Sequence, residues 1–162
     1  MRALRFLALM LTALTMGMAF CHLLQMPAKL AYSGPQWLLL QQTLYGNYRA
    51  LGALIDVGAV ACALALTLAV RARHPALGWT LFGTICLAGA HAAWWAGIVP
   101  LNAQIAQLTP HVLPPEWAEL RLQWEYTHAM RFALLAAALG ALVLSVVVET
   151  PRRRANWFRE PA

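Results

Sequence analysis

Apolar side chains fall along this chain in four continuous blocks, Phe6 to Leu24, Ala50 to Val70, Ala76 to Val99 and Ala129 to Val148, and polar side chains collect between them. Each block is close to or above the roughly 20 apolar residues that a helix needs to cross a ~30 Å hydrocarbon core. A strand-built membrane protein shows about ten-residue segments of alternating polarity instead. These blocks are unbroken and rich in Ala and Leu, and a backbone in lipid must satisfy its hydrogen bonds within its own segment, so the pattern predicts helices. The expected fold is all-α: an integral membrane four-helix bundle with spans at 6–24, 50–70, 76–99 and 129–148, formed by residues 1–162 as one domain ending in a basic tail at 151–162.

The connections sharpen this expectation. Arg71 to Pro75 is a tight turn, which makes the second and third helices antiparallel neighbours. The links Gln25 to Arg49 and Pro100 to His128 each exceed 20 residues and hold Pro, Trp and Tyr. Links so long in a compact domain carry function or extra structure. Leu113-Pro114-Pro115-Glu116-Trp117 has the form of a helix start, with Pro in the first turn and acids after it. Helix four is therefore expected to begin near Glu116 and to extend beyond the lipid. Pro35-Gln36-Trp37 matches Pro115-Glu116-Trp117, either as a faint trace of two parallel repeats or as coincident interface aromatics. The first block follows Arg2 and Arg5 as a signal peptide's would, but no small-x-small pattern ends it, so it is read as a retained span.

Composition agrees: 61% of residues are hydrophobic and 11% charged, against about 25% charged in soluble domains. Charge then orients the bundle, because short cytoplasmic loops carry the excess of Lys and Arg. Arg2, Arg5, Arg71, Arg73, Arg152, Arg153, Arg154 and Arg159 lie on one side; Lys29, Arg49, Arg121 and Arg131 lie on or toward the other, with Glu116, Glu119 and Glu125. Both termini are expected inside and the long links outside. Topology accounts for most of the net charge of +6, with no nucleic-acid partner required. The tail suits an anionic inner leaflet at ~1 kcal/mol per basic residue. The expected partners are the lipid bilayer and either a second copy of the chain or a membrane complex. Cys21, Cys62 and Cys86 are odd in number and show no CxxC spacing, so they read as small buried apolar residues.

Chemistry is sought among ionisable residues in or near the spans, where they are expensive. His22, Asp56, His91, Glu125, His128 and Arg131 all fall in the outer half of the bilayer or just above it. Helical spacing of three or four places Arg121, Glu125, His128 and Phe132 on one face of helix four, with Trp124 and Arg131 beside them. It does the same for His91, Trp95, Ile98 and Asn102 on helix three, and for Met18, His22, Gln25 or Met26, and Lys29 on helix one. At 1.5 Å per residue, Asp56 and His91 lie roughly 10 Å below His22 and His128, which leaves open one constellation or an upper site above a lower ion pair. Glu125-x-x-His128 has the spacing of carboxylate and imidazole ligands on bundle helices, so His22, His128 and Glu125 are the metal candidates.

At these residues the chain resembles a known group. His22-Leu-Leu-Gln-Met-Pro-Ala-Lys29, Leu44-Tyr45, Pro100-Leu-Asn102 and Trp117 with Trp124-Glu-Tyr-Thr-His128-Ala-Met-Arg131 are similar to the bacterial anthrone-oxygenase-like membrane family, most of whose members have no assigned function. The resemblance implies a four-helix fold in a bacterial inner membrane and carries His22, Asn102, Trp124, His128 and Arg131 over as functional positions. Gln25 departs from it, since Glu is expected there. Two classes of function stay open. One is a redox or oxygenase-type enzyme in which His128 is base or ligand, Asn102 orients substrate or an oxyanion, and Arg131 holds developing negative charge. His22, Trp124, Glu125, His91, Asp56 and Lys29 then contact the ligand. The other is a non-catalytic module that binds haem, copper, quinone or lipid, or serves as an accessory subunit. The chain lacks the P-loop, Rossmann, zinc-protease and nucleophile-elbow patterns.

Overall fold

The structure is a computed structural model that describes residues 1–45 and 48–150, with Tyr48 and Arg49 in backbone only. The basic tail at 151–162 and the side chain of Arg49 lie outside the described residues. Helix α1 runs Arg2–Ala31, α2 Gly34–Thr43, α3 Tyr48–Ala69, α4 His74–Ala93, α5 Val99–Gln107 and α6 Trp117–Val147, and a π-helical turn at Trp94–Ile98 joins α4 to α5. Four helices are long and apolar enough to cross a membrane: α1, α3 from Ala50, α4 continued through α5, and α6. Their helices α1, α3, α4 and α6 pack as a closed ring, each touching the next and α6 returning to α1.

The helices outrun the apolar blocks. Helix α1 passes through Pro27 to Ala31; proline removes one hydrogen bond and crowds the carbonyl four residues back, which a final turn tolerates. Helix α6 begins at Trp117, as the Pro-Pro-Glu-Trp start predicts. The third span continues past Val99, because the π-helical turn shifts the register ahead of Pro100: Val99 N–H donates to Trp94 O, five residues back. Pro100 then opens α5 from its first turn, where its missing N–H costs nothing. Much of the two long links is thus helical. Ser33 caps α2, its backbone N–H and hydroxyl both donating to Gln36 Oε1.

Three core layers stack along the ring. Trp37, Leu38, Leu101, Ile105 and Trp124 fill the end that carries the long links, hereafter the loop end. Ala19, Ala59, Ala63, Leu87, Ala90, Leu135 and Ala138 fill the middle, and Ala8, Leu66, Val70 and Leu142 the terminal end. Small residues bring α4 and α6 close: a Cβ on Gly83 would lie 3.0 Å from Ala138 O and 3.3 Å from Ala141 Cβ. Close backbone approach of this kind is how helices associate where burial from water gives no drive. At the terminal end, Glu149 pairs with Arg5 and with Arg73. Of the cysteines, Cys86 is buried and Cys62 half-buried, but Cys21 is exposed, which overturns its reading as a buried residue.

Candidate functional site

The functional candidates of α1 and α6 meet at the loop end. His22 and His128 face each other with ring centroids 4.1 Å apart and planes tilted 37°. Trp124, one turn from His128 on α6, sits 4.2 Å from His128 and 5.0 Å from His22 between centroids. Tyr45, in the link after α2, lies 4.8 Å from His22 and 5.6 Å from Trp124, and its hydroxyl donates to Gln25 Oε1. Gln25, standing where the family resemblance expects Glu, thus accepts a hydrogen bond as a carboxylate would. His128 is 2% exposed, yet neither of its ring nitrogens has a hydrogen-bond partner among the described residues, and His22 Nδ1 has none either. Buried polar atoms are nearly always paired, so two unsatisfied imidazoles on one wall are an unusual and expensive arrangement.

That wall bounds a cavity of about 190 Å³. Met18, Cys21, His22 and Gln25 of α1 form one side, Gly52 of α3 and Trp94 another, and His128 and Arg131 of α6 the base, with Leu44 and Tyr45 above. A smaller space of about 50 Å³ shares His22, Tyr45, Trp94, Trp124 and His128 and adds Gln41, Gln42 and Asn102. The two imidazoles therefore border both spaces. Gln41 is 4% exposed, and its Nε2 has no partner among the described residues.

The remaining candidates form supports around this centre. Arg131 donates from its guanidinium to Asp56 Oδ1 at 2.8 Å and from Nε to Ala90 O at 3.2 Å, and lies 4.8 Å over the Trp94 ring. His91 Nδ1 is 2.7 Å from Asp56 Oδ2, so one carboxylate holds both basic side chains of the lower layer. The sequence left open one constellation or two levels; the structure gives two levels joined by Arg131, which lines the cavity from above the Asp56 pair. Asn102 Oδ1 accepts from Trp124 Nε1 at 2.9 Å and lines the smaller space only, so in this geometry it orients Trp124. Lys29 and Glu125 pair at 2.7 Å, both almost wholly buried, with the Lys29 ammonium 4.6 Å over Trp124; they line neither space.

The helix-three stripe needs correction. A steady helical period put Trp95 beside His91 on an inward face, but Trp95 is 52% exposed. Trp94, three residues from His91 and at the start of the π-helical turn, lines the cavity in its place. Sequence reasoning also missed Gly52 and Gln41. Neither carries a local signal, since a glycine in an apolar block and a glutamine in a link gain meaning only from what folds against them.

Ligation of a metal by the proposed candidates does not fit well. No group of three or more His, Cys, Asp or Glu side chains gathers for it among the described residues, and Glu125 is committed to Lys29. A haem iron or copper ion in line between two imidazoles needs nitrogens about 4 Å apart at ~2 Å per bond, and ring centres further apart than that. The observed 4.1 Å between centroids is too short without movement of the rings. The chain matches no protein-family model, no curated protein and no solved structure.

Proposed function

We propose that this is a multi-pass protein of a bacterial inner membrane, with both termini cytoplasmic and the loop end outward, whose cavity binds a small planar lipophilic phenol or enolisable ketone and removes a proton from it. The proposal follows the anthrone-oxygenase-like resemblance. One observation carries it: His128 is buried at the base of a cavity walled in part by Trp94 and Tyr45, with both ring nitrogens unpartnered among the described residues. Imidazole is the side chain best suited to take a proton near neutral pH, and a base left without internal partners is free to accept one from a ligand.

The surrounding groups suit that step. His128 takes the proton from an O–H or C–H acid, and His22, in ring contact with it, sets a second imidazole against the same ligand. Trp94 and Tyr45 supply flat walls for a planar ring. Arg131, fixed by Asp56 and Ala90 O, brings positive charge to the cavity where the substrate anion forms, and pre-set charge of this kind stabilises a transition state without reorganisation. For an anthrone-type ketone, the carbanion carbon adds dioxygen, the proton held by His128 returns to give a hydroperoxide, and loss of water leaves the quinone carbonyl, so that one oxygen atom enters the product and the other leaves as water.

The test uses purified protein in nanodiscs with 1,8-dihydroxyanthrone as probe, read by tryptophan quenching for binding and by oxygen uptake for turnover. His128→Ala should lose turnover by about 100-fold or more, the ordinary worth of a general base, while His74→Ala, altered on an exposed side chain, behaves as wild type. Undiminished turnover in His128→Ala ends the proposal. Quenching without oxygen uptake in the wild-type protein favours the second reading, a module that holds a quinone-like molecule without transforming it, which the same flat walls support.

A further inference from the structure

We infer that the cavity is loaded sideways from the bilayer, through the seam between α1 and α3, by a lipophilic molecule already dissolved in the leaflet at the loop end. The inference rests on the reading of the cavity as a ligand site.

The seam itself supplies the argument. Nearer the terminal end α1 and α3 are in contact, since a Cβ on Gly58 would lie 3.4 Å from Leu11 Cδ1. Toward the loop end the contact thins to one side chain: a Cβ on Gly52 would meet only the Met18 thioether within 4 Å, at 3.8 Å and 3.9 Å. A flexible thioether is therefore what stands between the cavity and the outside at this level, and methionine re-packs more readily than any branched side chain. On the α1 side the mouth is edged by Cys21, small and exposed.

The flanks show what lies outside that mouth. Leu14 is 50% exposed and Leu24 64% on α1, and Leu51 59% and Leu54 71% on α3. Cys21 lies within the apolar block of α1, so these side chains face hydrocarbon if the four helices cross a membrane. A hydrophobic compound concentrates in lipid, reaches Met18 and Cys21 along an apolar surface, and meets the polar groups of the lining, His22, Gln25 and Arg131, at the cavity.

Carbene footprinting of the full chain in nanodiscs tests the route without requiring turnover. An uncharged aryl diazirine dissolved in the bilayer should label Met18, His22 and Tyr45 as well as the lipid-facing references Leu14 and Leu24, while a zwitterionic diazirine amino acid in the water should label none of them. Gly52→Leu should cut lipophilic labelling of His22 and Tyr45 about tenfold, the change that ~1.4 kcal/mol of steric exclusion produces, and leave Leu14 and Leu24 unchanged. If that variant fails to reconstitute, wild-type protein capped at Cys21 with N-benzylmaleimide gives the same block from the other side of the seam. Labelling of His22 and Tyr45 by the zwitterion, or no loss in the blocked proteins, overturns the inference. Side labelling that persists in a protein without oxygen uptake would remove the proposed chemistry and leave the route standing.

Discussion

Asp56 shows how much rests on single residues here. Its two oxygens are divided between Arg131 at 2.8 Å and His91 at 2.7 Å, and both Asp56 and Arg131 are buried. Removing one partner of such a pair strands the other charge, typically at about 3–5 kcal/mol. Asp56→Ala should therefore lower the thermal midpoint sharply, whereas the paired change Asp56→Leu with Arg131→Met should recover much of the loss, because no buried guanidinium is then left without its carboxylate and only the part-exposed His91 loses a partner. A single variant as stable as wild type would mean that the pair bears no weight. His128 contrasts with this, since it has no hydrogen bond to lose among the described residues, and its replacement should affect ligand chemistry more than folding. The polar candidates themselves were legible in the sequence, because ionisable side chains inside apolar blocks are few. Their division of labour was not: nothing in spacing says that Glu125 spends itself on Lys29 or that Asn102 holds Trp124.

At the scale of the element, the α4–α6 seam is set by Gly83, whose missing Cβ lets Ala138 and Ala141 come into contact. Gly83→Val must push a branched side chain against backbone, and overpacking of this type costs about 1–3 kcal/mol. The expected outcome is a lowered thermal midpoint in detergent with the helical circular-dichroism signal retained; an unchanged midpoint would show that the seam has slack. The four spanning helices were legible from the length of the apolar blocks alone, and the start of α6 from its proline pair. The π-helical turn was not. A continuous apolar run carries no mark of where the winding widens, and a spacing of three or four from His91 does not by itself choose between Trp94 and Trp95.

For the whole molecule, the split of basic residues predicts that a reporter fused after Ala162 or within the Arg71 to Pro75 turn behaves as cytoplasmic, and one near Pro110 as external. An external reporter at Ala162 would invert the bundle and put the cavity on the cytoplasmic side. Helix α1 belongs to that bundle by contact: it packs on both α3 and α6, buries Ala8, Thr12, Thr15 and Ala19, and supplies His22 to the site.

By itself the sequence determined the solvent, the number of spans and the residue types that chemistry must use, because those follow from apolar length and from the cost of charge in hydrocarbon, both of which are local sums along the chain. Only the tertiary structure decided which of those residues meet. His22 and His128 are separated by more than a hundred positions in sequence, and ring contact between them, the Asp56 bridge between α4 and α6, and the thin seam at Gly52 and Met18 all depend on how four helices rotate against one another. That rotation is fixed by packing of small residues such as Gly83 and by one π-helical turn, whose effects reach across the bundle and leave no periodic signature in the chain.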